Sequence, residues 1–69
     1  MMKVWEVAVD CKGDVDYCLE EGVAPEEQEQ QVLQTDIDGM TFVATVLATS
    51  SRNARHLAQA RWMALMAVC

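Results

Sequence analysis

Carboxylates are the side chains of this sequence whose number and spacing could do chemistry. All eleven Asp and Glu lie between Glu6 and Asp38. Glu6, Asp10, Asp16 and Glu20 recur within two runs of alternating residues, 3–11 and 15–20. Paired carboxylates can move protons when one of them is desolvated. A chain of 69 residues offers little depth for such a cleft, so these four are expected to bind rather than to catalyse. A concentrated negative field steers a basic partner. Ordinary solvation of a surface calls for the same residues. Either way phosphates are repelled, which argues against direct contact with nucleic acid.

Other reactive residue types are sparse. His56 is the single histidine, and no nucleophile is placed beside it, so it reads as a surface residue. Cys11, Cys18 and Cys69 are odd in number and fit neither a zinc ribbon nor a redox pair. Reduced thiols, no metal and no cofactor are the expectation. Asp36-Ile37-Asp38-Gly39 sits where a calcium loop would need Gln34 and Thr45 as its first and last ligands. A bidentate Glu is required at the last position, so the stretch is read as a turn. Glu26, Glu27 and Glu29 form a solvated acidic run, and they join the four carboxylates above as candidate partner-binding residues.

The charge is unevenly laid out. Residues 1–39 hold all the acids against Lys3 and Lys12, a net of −9, and the remainder, with Arg52, Arg55 and Arg61, is +3, which makes the overall −6. The composition, 52% hydrophobic and 23% charged, is that of a folded chain rather than a disordered one. A single domain, 1–69, is expected, burying about 60% of its unfolded surface. No run approaches the roughly 18 apolar residues of a membrane span. Glu6 interrupts the stretch where an export signal needs apolar residues. A cytoplasmic location follows as an expectation.

Five elements would position these residues. Residues 3–11 alternate with Trp5, Val7, Val9 and Cys11 on one face, a half-buried strand. Lys12-Gly13-Asp14 reads as a turn. Residues 15–20 alternate again, and a three-residue loop pairs Cys11 with Val15, Val9 with Tyr17 and Val7 with Leu19. This register gathers Glu6, Asp10, Asp16 and Glu20 on one open face, with Asp10 opposite Asp16 and Glu6 opposite Glu20. Like charges directly opposed disfavour a sheet, so a short helix over 15–21 competes, with Gly22 past its end. Pro25 followed by acids resembles a helix start. Asp38-Gly39 between β-formers signals a hairpin, pairing Ile37 with Met40, Thr35 with Phe42 and Leu33 with Ala44. The run from Met40 to Thr49 is apolar on both faces, which suits a central strand.

Ser50 or Ser51 would cap a helix over 52–68. Its core stripe on a helical wheel is Ala54, Leu57, Ala58, Ala64, Leu65 and Val68. Arg61 falls in the centre of that stripe. Its stem could pack while its head snorkels to water, or it could pair with a carboxylate. Trp62, Met63 and Met66 make the end of the helix apolar all round, a candidate homodimer interface.

The fold class expected is α+β: a small four-stranded antiparallel sheet of two hairpins, with one C-terminal helix packed on one face. The function expected is a small acidic binding protein without catalysis. It would occupy a basic surface of another protein, such as a nucleic-acid-binding complex. Inhibitors or decoys of this kind serve phages and other mobile elements against CRISPR effectors or restriction nucleases. The alternative is a structural homo-oligomer or subunit associating through the apolar helix end.

Overall fold

The structure is a computed structural model that describes residues 1–25 and 28–67. The chain runs β1 (Lys3–Val9), β2 (Val15–Val23), β3 (Gln31–Asp38), β4 (Thr41–Ala48) and α1 (Ser51–Met66). The four strands make one antiparallel sheet in the order β2-β1-β4-β3. Each hairpin is therefore sequential, and the two meet along β1 and β4. α1 lies against all four strands. The expected α+β architecture of two hairpins and one helix is the architecture found.

β1 and β4 are the central strands, and they supply the core. Trp5, Val7 and Val9 share a face with Val46, Ala44 and Phe42, opposite them in register, and all six are buried. Ala54 and Ala58 of α1 close over this face with no exposed surface, because a methyl side chain lets the helix backbone come close. Ser50 caps the helix, its hydroxyl accepting from the Asn53 N–H at 3.2 Å. The buried Trp5 indole donates to the Ala48 carbonyl at 2.9 Å, which satisfies a donor that burial would otherwise leave unpaired.

Several expectations about register and length are corrected. β1 ends at Val9, and residues 10–14 form the turn. The Asp10 carboxylate organises it, its Oδ1 accepting from Lys12 N at 2.9 Å and Asp14 N at 3.0 Å. β2 is a strand to Val23, so the competing helix over 15–21 does not form. Its partners are Val9 with Val15, Ala8 with Tyr17, Val7 with Cys18, Glu6 with Leu19 and Trp5 with Glu20. Two bulges in β2, at Asp16 and Glu21, shift this register. Bulges consume one residue without a partner, so a strict count of two along the sequence gives the wrong faces.

In the second hairpin Asp38 pairs with Thr41 and Ile37 with Phe42. The loop is Gly39-Met40, one residue later than Asp38-Gly39. Gly39 takes φ +65°, which its missing Cβ allows. Leu33 is a bulge between the Val32 and Gln34 pairs. β3 opens at Gln31, and residues 28–30 are not helical, so the helix expected after Pro25 is absent from the described residues. The expectations for Glu26, Glu27, Val68 and Cys69 lie outside the described residues.

The helical stripe also differs from the wheel. Ala54, Leu57 and Ala58 face the sheet as expected, but Ala64 and Leu65 are exposed. Beyond Ala58 the helix outruns its cover, and Trp62 turns inward instead. Arg61 is exposed. Among the described residues the one ion pair is Lys3 with Glu20 at 2.9 Å, so a buried Arg61–carboxylate pair is not formed.

Candidate interaction face

Helix α1 covers one face of the sheet, and among the described residues no second layer covers the other, where Ala8 and Leu47 are nonetheless buried. Register assigns Val4, Glu6 and Ala8 of β1 to this open face, with Gly22, Leu19 and Tyr17 beside them on β2. Leu47, Thr45, Val43 and Thr41 follow on β4, then Gln31, Gln34, Asp36 and Asp38 on β3. The face is thus mixed. Tyr17 and Leu19 are exposed apolar surface on one side, and carboxylates occupy the centre and the far edge.

Tyr17 ties these groups together. Its hydroxyl donates to Glu6 Oε2 at 2.8 Å. The phenol titrates above its ordinary value, chiefly because this hydrogen bond holds its proton, with the charges of Glu6, Asp16 and Asp38 adding to the effect. Three carboxylates from three strands are therefore felt at one exposed hydroxyl.

No cation faces them. Lys3 shares the helix-side face with Trp5 and pairs with Glu20. Lys12 borders a groove beside His56, Gln59 and Trp62 of the helix. Arg52 and Arg55 flank a second groove with His56, and Arg61 is on the same helix. All five Lys and Arg thus lie in the helix layer or along its margin, while Glu6, Asp36 and Asp38 lie on the opposite surface.

The four carboxylates expected to form one patch are separated. Glu6 is on the open face. Glu20 is on the helix side in its ion pair, Asp10 is committed to its turn, and Asp16 stands at a bulge next to Tyr17. Glu29 is exposed in the connector that precedes β3. Asp36 and Asp38, read from sequence only as turn residues, are the ones that complete the face. Their alternation along β3 was the available signal, since residues two apart on a strand share a side.

The oligomer candidates separate as well. Met63 and Met66 are exposed, at 63% and 44%, whereas Trp62 is half-buried against the core. Its ring lies over Gly13, and Gln59 Nε2 donates to the Gly13 carbonyl at 3.0 Å. Below Trp62 an apolar groove of about 350 Å³ runs between Phe42, Ile37 and Met40 of the second hairpin and Leu65 and Met66 of the helix.

Cys11 and Cys18 are free thiols. No cluster of metal-ligating side chains occurs among the described residues, and no helix among them is long and apolar enough to cross a membrane. No protein-family model, curated protein or solved structure matches the chain.

Proposed function

We propose that this protein is a non-catalytic acidic binding protein whose open sheet face meets a basic surface on another protein. The observation that carries the reading is the separation of charge between layers. Glu6, Asp36 and Asp38 share a face free of Lys and Arg, beside the exposed Tyr17 ring. Tyrosine at the centre of an interface supplies contact area with a polar end, and is enriched there. Basic surfaces of this extent belong mainly to nucleic-acid-binding proteins, so the protein acts as an inhibitor or decoy at such a surface.

The test is capture from nuclease-treated lysate on immobilised protein, washed at low and then high salt. Nucleic-acid-binding proteins retained at low salt and shed at high salt support the reading, because exposed charge contacts are screened. The double variant Glu6→Lys/Asp38→Lys should lose them while its circular dichroism is unchanged. Equal retention by the variant overturns the reading.

A second reading has its own observation. Ile37, Met40, Leu65 and Met66 are all exposed around the groove below Trp62. A contiguous apolar patch on a small chain marks an association surface. Here the chain would be a homo-oligomer joined through the end of α1. Met66→Asp would then sediment at a lower mass than the wild-type protein, and a wild type already monomeric at high concentration would sink this reading.

A further inference from the structure

β3 is an edge of the sheet, and an edge strand offers a row of unpaired N–H and C=O groups to any other strand. Seven of its eight residues are exposed, among them Leu33 at 51% and Ile37 at 65%. The hairpin closes on the Asp38–Thr41 pair, with a loop of two residues. Backbone groups alternate in direction along an antiparallel strand, so the N–H groups of Thr35 and Ile37 point away from β4. One of these two is already occupied. Asp36 Oδ1 accepts from Ile37 N at 2.9 Å.

We propose that β3 is a latent strand-addition edge whose complementary partner is the β3 of a second copy of this chain, and that Asp36 keeps it closed. The carboxylate acts twice. Its oxygen takes the outward N–H that an added strand would need. Its charge opposes self-pairing as well. Antiparallel pairing centred on Asp36 sets it against the second copy's own Asp36, and pairing centred on Ile37 sets it against Asp38. Like charges directly opposite disfavour a sheet. The other edge, β2, is interrupted by two bulges, whereas β3 has one, at Leu33, and pairs regularly from Gln34 to Asp38, the stretch that needs a chemical guard.

The experiment is sedimentation equilibrium on the full chain, with circular dichroism confirming that each variant is folded. Asp36→Ala should associate at least tenfold more tightly than wild type. Asp36→Asn, which keeps an acceptor and loses the charge, should associate less than Asp36→Ala. Adding Ile37→Pro to Asp36→Ala removes the outward N–H at a position where an edge tolerates proline, and it should return the variant to wild-type behaviour. Three results overturn the proposal: no gain in Asp36→Ala, equal gains in the Asn and Ala variants, or association that survives Ile37→Pro. Ile37 also borders the groove at the helix end, so Met66→Asp tells the two routes apart: added to Asp36→Ala it should leave the gain in association intact, and its loss would overturn the proposal as well.

Discussion

Tyr17 and Gly13 show how single residues carry consequences for the whole surface. The Tyr17 phenol is held protonated by Glu6, and the charges of Asp16 and Asp38 deepen the effect. In Glu6→Ala the tyrosine should ionise closer to the usual value near 10, read from the phenolate absorbance on titration. Its folded value is raised above its unfolded one. Its contribution to stability is therefore complete below about pH 10 and is lost as the pH rises through the folded value. Gly13 has φ +89°, and a Cβ built there would lie 2.8 Å from the Trp62 ring. Gly13→Ala meets both the left-handed backbone penalty, about 1–2 kcal/mol, and a displaced indole. A lower midpoint in denaturant and a changed Trp62 emission should accompany each other. An unchanged emission would mean that the ring does not sit over the turn.

Among the elements, β4 and α1 were the most legible from sequence, and β2 the least. β4 is apolar on both faces, and its place in the centre of the sheet follows from that alone. The Ser50 cap followed from hydroxyl chemistry at a helix start, and Ser50→Ala should cost about 1 kcal/mol in chemical denaturation. β2 defeated a strict period of two because Asp16 and Glu21 are bulged, which moved Tyr17 and Leu19 to the face opposite Val7 and Val9. The same displacement dissolved the expected patch of Glu6, Asp10, Asp16 and Glu20. Asp36 and Asp38 have residue types that also suit a turn, so their alternation two apart on β3 is a weak sequence signal, and the pairing with β4 shows which face they share. Arg61 was misplaced for a different reason. A helical wheel says which residues share a side, but not where along the helix the sheet stops covering it. Leu47 shows the converse. It lies on the open face yet is 2% exposed, at the end of the sheet where β3 begins, opposite Gln31. Leu47→Ala should cost about 2–5 kcal/mol, against little change for the exposed Met63→Ala. Equal costs would show that this end of the sheet is not packed.

At the scale of the molecule, two hairpins and a helix make two layers of opposite charge. The largest fully buried side chains are only Leu47, Val7, Val9 and Val46, so stability rests on a thin seam between β1 and β4. That seam has a kinetic meaning. Each hairpin is local and can form within microseconds. The seam joins Lys3 to Ala48 and Val9 to Phe42, residues from opposite halves of the chain, and closing so long a loop has an entropic cost before any contact repays it. The slow step of folding is therefore the docking of one finished hairpin on the other. Ala44→Gly, in the seam, should slow folding in stopped-flow measurements and leave unfolding nearly unchanged. The reverse pattern would place the nucleus inside a hairpin. Until the halves dock, both strands that become the centre of the sheet are edges, and during that interval the chain is most open to pairing with the wrong neighbour.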